Sequence, residues 1–201
     1  MGQEPSKHGR SGRWNAPIIW AAPALLGVAV VLAPMDGEAA PARKGLPASI
    51  AGVASVIDAD TLDIGKQRIR LTGVDAPESG QKCLDAKQKF VRCGSIAANA
   101  LDAWINRNPV TCVIEDKDRY GRFVGKCSVR GQNMQEWLVT NGYAVAYRAY
   151  STVYVPAELK ARQAKAGIWA GEFIEPWDWR QGLRLDGEKP TKAMISGKFA
   201  S

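Results

Sequence analysis

The sequence is almost without histidine: His8 is the single one among its 201 residues. A Ser-His-Asp triad, a Cys-His dyad and a histidine-rich zinc site are therefore excluded from the body of the chain. Any chemistry performed there has to use carboxylates, arginines, tyrosines or backbone groups.

Cysteine is also scarce, with four residues, and no two of them have C-x-x-C spacing. Cys112 and Cys127 bracket two predicted strands and a polar turn, so they can face each other across a hairpin. Antiparallel pairing brings such Cα atoms to about 4.5–5.5 Å, which suits a disulfide. Cys83 and Cys93 would then form a second disulfide before a helix. Four reduced, buried thiols are the alternative, and they would suit a reducing compartment.

Charged residues are absent between Pro17 and Pro34, and a basic segment precedes this apolar run. This order, followed by a small-residue cleavage site at Ala40-Pro41-Ala42, is typical of a secretory signal peptide. An uncleaved membrane anchor through residues 17–34 is the alternative, since about 17–25 residues cross the hydrocarbon layer. Both interpretations export the rest of the chain, as a periplasmic or secreted protein or as an inner-membrane-anchored domain outside the cytoplasm.

The chain divides into three parts on these grounds. Residues 1–43 are the signal peptide or N-terminal anchor, residues 44–182 form one folded domain, and residues 183–201 are a loosely ordered tail without apolar periodicity. Lys and Arg outnumber Asp and Glu by 27 to 20, and residues 1–43 hold only four of the basic and three of the acidic side chains. The positive charge therefore belongs to the exported part, which favours a polyanionic partner.

Short β-rich segments alternate with amphipathic helical segments. Alternating and β-branched residues predict strands at 50–57, 61–64, 68–72, 110–114 and 123–129. Apolar periodicity predicts helices at 95–106, with Ser95 as its N-cap, at 132–140 and at 156–166. Five short strands with three interleaved helices predict an α+β fold, a five-stranded OB-fold β-barrel.

Acidic residues cluster at the ends of two predicted strands. Asp58 and Asp60 are two residues apart and so share one face of a strand. Asp75 and Glu78 follow the next strand, which Pro77 ends. Converging carboxylates are hard oxygen ligands that suit Ca²⁺ or Mg²⁺. Turn formation is the other explanation for aspartates at such positions.

Two arginines favour the functional explanation for these carboxylates. Arg70 lies on the strand that leads to Asp75, and Arg122 closes the segment Asp118-Arg-Tyr-Gly-Arg122. A guanidinium binds phosphate through two parallel hydrogen bonds and stays charged at any accessible pH. Two arginines together with a hard cation provide the charge stabilisation that phosphoryl transfer requires.

Four segments, in order and spacing, resemble the staphylococcal nuclease-like (thermonuclease) family. They are Val56-Ile-Asp-Ala-Asp-Thr61, Arg70-Leu-Thr-Gly-Val-Asp-Ala-Pro-Glu78, Asp118-Arg-Tyr-Gly-Arg122 and Gly167-Ile-Trp169. The resemblance covers about residues 50–170. In addition, Pro176-Trp-Asp-Trp-Arg180 and the cysteine placement resemble the secreted bacterial branch of that family. The resemblance implies that residues 44–182 are a thermonuclease-like OB-fold domain.

The resemblance also implies a calcium site. Its ligands would be the side chains of Asp60 and Asp75 and the backbone carbonyl of Ala76, with Ca²⁺ as the cofactor and no organic cofactor. Glu78 matches the family's water-activating glutamate, which acts either as a general base or by orienting the water. Asp58 would support these residues from behind without binding the metal.

Arg70 and Arg122 match the two catalytic arginines that hold the scissile phosphate in the family. The positions that match the family's nucleotide contacts are Arg119, Tyr120, Tyr147 and Tyr150. The implied partners are DNA and RNA, with single strands preferred and no sequence specificity, and the protein would be a monomer that meets a membrane only through residues 17–34.

The implied function is that of a calcium-dependent nuclease, a hydrolase that breaks P–O5′ bonds in DNA and RNA and leaves 3′-phosphate ends. The alternative is an OB-fold module with weak or no catalysis that is exported to the envelope and binds nucleic acid or protein. Degenerate members of the family lose the glutamate, an arginine or a metal aspartate. This sequence keeps Asp60, Arg70, Asp75, Glu78 and Arg122 together, which favours the enzyme.

Overall fold

The structure is a computed structural model, and it describes residues 45–188. The predicted signal peptide or anchor, its cleavage site and the apolar run at 17–34 lie outside the described residues, as does the tail beyond residue 188. Within the described part of the chain, no helix is long and apolar enough to cross a membrane.

Short strands and helices alternate along the described residues. The strands are β1 (Ser49–Asp58), β2 (Thr61–Ile64), β3 (Gln67–Leu71), β4 (Val74–Asp75), β5 (Cys83–Leu84), β6 (Phe90–Val91), β7 (Pro109–Lys117), β8 (Phe123–Val129), β9 (Gln132–Asn133) and β10 (Val145–Ala146). The helices are α1 (Cys93–Ile105), α2 (Met134–Thr140), α3 (Val155–Gln163) and α4 (Pro176–Arg180), with a 3₁₀ turn at Gly167–Ala170.

Five strands close into a barrel. Antiparallel pairing runs in the order β3-β2-β1-β7-β8, and a parallel pairing between β3 and β8 joins the two ends. Closure leaves these strands without a free edge between β3 and β8, which is how a small barrel satisfies its backbone groups. The prediction of an α+β fold with a five-stranded OB-fold barrel is confirmed, and the five predicted strands match β1, β2, β3, β7 and β8 within a few residues.

The core lies inside the barrel and beneath α1 and α2. Leu62, Ile69 and Val110 point inward from three strands, and Leu101 and Leu138 close the core from the two helices. All five side chains are fully buried, and each such burial stabilises the fold by about 1.5–3 kcal/mol. Because the barrel is well filled, the loops at its rim start from fixed strand ends.

The three predicted helices are present as α1, α2 and α3, but the predicted N-cap of α1 is wrong. The helix begins at Cys93, and Arg92 occupies the cap position. The hydroxyl of Ser95 donates instead to the backbone carbonyl of Ser79, at 2.9 Å. A serine hydroxyl that finds a partner on another loop is no longer available to cap its own helix. α4 and the 3₁₀ turn were not predicted.

Both predicted disulfides are confirmed. Cys112 and Cys127 are paired directly across β7 and β8, with Cα atoms 4.0 Å apart. Cys83 and Cys93 join β5 to the start of α1, with Cα atoms 5.7 Å apart. The second bridge closes the loop that follows Glu78 and so restrains the backbone next to that residue.

Candidate active site

A cleft of about 430 Å³ lies where β3 meets the turn between β7 and β8. Its polar and aromatic lining includes Arg70, Thr72, Glu78, Asp118, Arg119, Tyr120, Arg122, Tyr147, Tyr150 and Arg180. The structure therefore brings every predicted catalytic and nucleotide-binding residue to one cleft. The predicted metal ligands Asp60 and Asp75 are buried and reach the cleft through Arg70, which contacts both.

Asp60 is held in the turn between β1 and β2. Its backbone carbonyl accepts a hydrogen bond from the backbone N–H of Leu71 at 2.8 Å, which fastens the turn to the end of β3. Its side-chain Oδ1 accepts from the hydroxyl of Thr61 at 3.0 Å, and its Oδ2 accepts from the backbone N–H of Ala76 at 2.8 Å. Ala76 follows β4 directly, so these bonds attach the ends of β3 and β4 to the same residue, Asp60.

Arg70 bridges the two buried aspartates. Its Nη1 donates to Oδ1 of Asp60 at 2.6 Å and its Nη2 donates to Oδ1 of Asp75 at 2.5 Å. Burial lowers the pKa of the Arg70 guanidinium, but the charges of Asp60 and Asp75 outweigh burial and leave that pKa above its ordinary value. These two bonds use two of the five N–H groups of the guanidinium, so others can face the cleft.

Burial disfavours the charged form of Asp60. Burial raises the pKa of Asp60 to about 6, the charge of Arg70 opposes the shift, and the neighbouring charge of Asp75 adds to it. Buried carboxylates in this state are hard oxygen donors that suit Ca²⁺ or Mg²⁺. Within residues 45–188, no three His, Cys, Asp or Glu side chains are grouped closely enough to hold a metal. The donor set therefore fits a hard cation only if backbone or water oxygens complete its shell.

Glu78 lies on a loop that α1 and Asp58 hold in place. Gly94 in the first turn of α1 packs against the backbone of Glu78, where a Cβ would collide with the Glu78 carbonyl oxygen. The next residue, Ser79, donates its hydroxyl to Oδ1 of Asp58, and its carbonyl accepts from Ser95. Asp58 therefore contacts the loop that carries Glu78, while its predicted supporting role stays a prediction.

The turn between β7 and β8 positions Arg122 at the cleft. Oδ1 of Asp118 accepts from the backbone N–H groups of Tyr120 and Arg122 at 2.9 and 3.0 Å. Its Oδ2 accepts from Nε of Arg122 at 2.6 Å. Burial raises the pKa of Asp118, but the bonds and charge of Arg122 outweigh it and hold that pKa below its ordinary value. One ionised aspartate therefore shapes the turn and aims the arginine.

Aromatic rings stand at the two sides of the cleft. Tyr120 and Tyr150 are 69% and 75% exposed, so both rings are open to a ligand. Arg119 donates to the Tyr120 hydroxyl at 2.8 Å and lies over its ring. The ring of Tyr147 lies 5.0 Å from that of Tyr150, centroid to centroid. Exposed rings beside cationic side chains are typical of surfaces that stack nucleobases.

Arg180 is a cleft residue that the sequence interpretation assigned no role. Its Nη2 donates to Oδ2 of Asp75 at 2.7 Å, and its Nη1 donates to Oδ1 of Asp75 at 3.1 Å and to Oε1 of Glu78 at 2.8 Å. The segment Pro176-Trp-Asp-Trp-Arg180 was recognised as a family feature. The spacing of Trp177 and Arg180, three residues apart, was the signal that both face one side of a helix.

Comparison with protein families matches residues 68–171 to the family described as Staphylococcal nuclease homologue. The matched span contains Arg70, Asp75, Glu78 and Arg122. Asp60 and Arg180 lie outside it, on either side.

Comparison with individual proteins finds relatives of the same kind. The chain is 41% identical over 131 residues to the Succinoglycan biosynthesis protein ExoI of Rhizobium meliloti, covering 64% of this chain and 69% of that protein. It is 33% identical over 136 residues to an Uncharacterized endonuclease of Escherichia coli, covering 64% and 82%. It is 35% identical over 122 residues to the Staphylococcal-like nuclease CAN1 of Arabidopsis thaliana, covering 59% of this chain and 35% of the plant protein.

Proposed function

The chain belongs to the staphylococcal nuclease family, and from this we propose that it is a calcium-dependent nuclease that hydrolyses phosphodiester bonds in DNA and RNA. The observation that carries the proposal is the cleft in which Arg70 joins Asp60 to Asp75 beside Glu78. That arrangement supplies an oxygen site for a cation, a carboxylate for water and a guanidinium for phosphate.

In this proposal Asp60, Asp75 and the carbonyl of Ala76 hold Ca²⁺. When bound, the cation would offset the negative charge that develops on the phosphoryl oxygens. The cation competes with Arg70 and Arg180 for the oxygens of Asp75, but Asp60 and Asp75 are already fixed in place by backbone and arginine contacts. This preorganisation is what makes such a site effective.

Arg70 and Arg122 hold the scissile phosphate. Both line the cleft, Arg70 from β3 and Arg122 from the turn that leads into the adjacent strand β8, and each is anchored by aspartate on part of its guanidinium. The remaining N–H groups can donate to phosphate oxygens, where they stabilise the added charge of the transition state. Anchoring also reduces the conformational entropy that these long side chains lose on binding.

Glu78 directs the attacking water. Its carboxylate lies at the cleft, and its loop is fixed by α1. The water oxygen bonds to phosphorus, and its proton passes to Glu78 or, where Glu78 only orients the water, to solvent. The P–O5′ bond then breaks and the leaving O5′ takes up a proton from solvent, so that one fragment ends in a 3′-phosphate and the other in a 5′-hydroxyl.

The test is cleavage of heat-denatured DNA by the full chain with Ca²⁺ and then with a calcium chelator. We expect cleavage only with Ca²⁺, and 3′-phosphate ends. Glu78→Gln should lower the rate by about 10²–10⁴, the usual contribution of general base catalysis. The matched control is Glu115→Gln, which removes a carboxylate paired with Lys126 on the surface of the barrel. Cleavage that survives chelation, or a Glu78→Gln rate equal to that of the control, contradicts the proposal.

We also propose single-stranded DNA and RNA as the substrates, without sequence specificity, and a monomeric protein. The exposed rings of Tyr120 and Tyr150 support this, since a ring can stack on an unpaired base of any type. Initial rates on heat-denatured DNA, duplex DNA and RNA test it. Equal rates on duplex and denatured DNA would contradict the strand preference.

Export from the cytoplasm is part of the proposal. Two disulfides within residues 45–188 support it, because disulfides persist in oxidising compartments and are rare in the cytosol. Fractionation of host cells, followed by detection of the native protein, tests the location. Recovery from the cytoplasm with reduced thiols would contradict it.

A binding module without catalysis is the second candidate. It is favoured by the arginine contacts that already occupy Asp75 and by the absence, within the described residues, of three grouped metal-ligating side chains. The relative ExoI, moreover, is named for succinoglycan biosynthesis and not for cleavage of nucleic acid. Binding of an oligonucleotide without cleavage in the same calcium assay would establish this function over the first.

A further inference from the structure

Helix α4 places Trp177 and Arg180 on one face, and Arg180 lines the cleft. Trp177 and Arg180 are three residues apart, and residues at that spacing are neighbours on a helix surface. The ring of Trp177 stacks on Tyr147, with centroids 5.4 Å apart and planes 9° from parallel. Trp179 points the other way and is buried, with the ring near Gly80. The helix is therefore docked by Trp179 and turned so that Arg180 reaches the carboxylates.

Arg180 makes three charge-assisted contacts there. It donates to both oxygens of Asp75 and to Glu78, at 2.7–3.1 Å. Its side chain remains 36% exposed, so the guanidinium is open to the cleft on its other side. Asp75 is in consequence shared between Arg70 and Arg180, whereas Glu78 has its ion pair with Arg180.

The chain before α4 is attached to the loop that carries Glu78. The carbonyl of Glu172 accepts from the backbone N–H of Leu84 at 2.8 Å, and the carbonyl of Ile174 accepts from Nε2 of Gln81 at 2.6 Å. Gly171 packs so closely on this loop that a Cβ would collide with the carbonyl oxygen of Leu84. The loop and the segment leading to Arg180 therefore form one unit, to which the Cys83–Cys93 bridge belongs.

We propose that Arg180 is a positioning residue for the nuclease reaction, one that holds the Glu78 carboxylate in its working orientation beside Asp75. The inference rests on the proposed function. Removal of Arg180 leaves Asp75 paired with Arg70 and leaves Glu78, which is partly exposed, in contact with water, so neither carboxylate becomes a buried charge without a partner. A displaced catalytic group, by contrast, costs up to about 10² in rate for a shift of about 1 Å. The effect of Arg180 therefore falls on turnover and not on folding.

The kinetic test compares Arg180→Ala and Arg180→Lys with the wild-type chain on heat-denatured DNA in Ca²⁺. We expect Arg180→Ala to lower kcat by about 10- to 100-fold, with KM within about threefold and an unchanged melting temperature. Arg180→Lys, which restores one charge, should recover part of kcat. The control is Arg68→Ala. Arg68 lies on the same strand as Arg70 but outside the cleft, and its partner is Asp63. The kcat of this variant should stay within about twofold.

Calorimetric titration with Ca²⁺ alone gives a readout that does not depend on cleavage. Because Arg180→Ala removes a positive charge from Asp75, it should bind Ca²⁺ about tenfold more tightly than the wild type, with Arg180→Lys near the wild-type value. An Arg180→Ala variant with wild-type kcat, with only KM raised, or with unchanged Ca²⁺ affinity overturns the inference while the proposed function stands. A wild-type chain that neither binds Ca²⁺ nor cleaves DNA overturns both.

Discussion

Glu158 is a buried carboxylate on α3 that binds the backbone of β10. Its Oε2 accepts from the backbone N–H of Ala146 at 2.8 Å, and its Oε1 accepts from Nη2 of Arg148 and of Arg162, both at 2.8 Å. Ala146 belongs to β10, which pairs with β4 and thus with the strand that carries Asp75. Substitution of Glu158 tests how much this arrangement stabilises the domain.

The stability lost on removal of the Glu158 carboxylate comes unequally from its three partners. Glu158 is fully buried, but the side chains of Arg148 and Arg162 are 47% and 44% exposed and regain water when the carboxylate is lost. Each of these ion pairs is therefore worth about 0–1 kcal/mol. The N–H of Ala146 stays buried without an acceptor, which costs about 1–3 kcal/mol. Together with the cavity left by truncation, Glu158→Ala should cost about 3 kcal/mol.

The assay is urea unfolding of the oxidised protein, followed by tryptophan fluorescence. We expect Glu158→Ala to lower the free energy of unfolding by about 3 kcal/mol, and the melting temperature by about 6–12 °C. Glu158→Gln keeps an acceptor for Ala146 and should cost about 1 kcal/mol, as should Arg148→Ala or Arg162→Ala at most. If Arg148→Ala costs as much as Glu158→Ala, or if Glu158→Ala costs under about 1 kcal/mol, the reasoning from the buried acceptor is refuted.

Three further measurements follow from the structure. Replacement of Cys112 and Cys127 by alanine, 15 residues apart, should lower the free energy of unfolding by about 3 kcal/mol in urea titrations; no change relative to the oxidised wild type would contradict this. Burial raises the pKa of Glu175 from 4.5 to about 6, so its contribution to stability is present below pH 4.5 and lost as pH rises through about 6. Glu175→Gln should therefore raise the melting temperature at pH 7–8 by about 2–3 °C, because the partial exposure of Glu175 limits the gain in stability to under about 1 kcal/mol. At pH 4 the same substitution should have no stabilising effect. A gain of equal size at both pH values would be inconsistent with titration of Glu175. Tyr120→Ala should raise KM for denatured DNA by about tenfold with little change in kcat, and a lower kcat at constant KM would assign Tyr120 to the chemistry instead.

The barrel could be predicted because its strands are defined by local patterns. Strands β2 and β8 were predicted at their observed residues, since β-branched and alternating residues there are bounded by turns. The register of β7 and β8 followed from Cys112 and Cys127, which have to face each other to be bridged. Ser95 shows the limit of such reasoning, because its hydroxyl bonds a carbonyl from another loop, a contact that no local pattern encodes.

The cleft was predictable where the family pattern is contiguous and unpredictable where it depends on docking. Arg70, Asp75 and Glu78 lie in one short segment; Arg70 and Glu78 line the cleft with Arg122, and Asp75 contacts Arg70. Arg180 was missed because its contacts depend on how α4 packs on the loop after Glu78. Tryptophans in a helix of five residues predict packing, and they do not say which carboxylate the arginine after them will meet.

The residues of the cleft are held in place in two different ways, by strand pairing or by contacts to a loop. This difference explains why several additional contacts hold the loop of Glu78. Arg70 stands on the barrel strand β3, and Asp75 stands on β4, which pairs with β10 in a separate small sheet, so strand pairing fixes the direction of both residues. Glu78 and Arg122 stand on loops, which are more mobile than strands unless they are tied down. Arg122 is tied by Asp118 within its own turn. The loop of Glu78 is longer, and a disulfide, α1 and the segment before Arg180 all hold it. In the proposed mechanism Glu78 has to direct water within a fraction of an ångström, which requires this support, and we expect loss of any of these ties to lower turnover before it lowers stability.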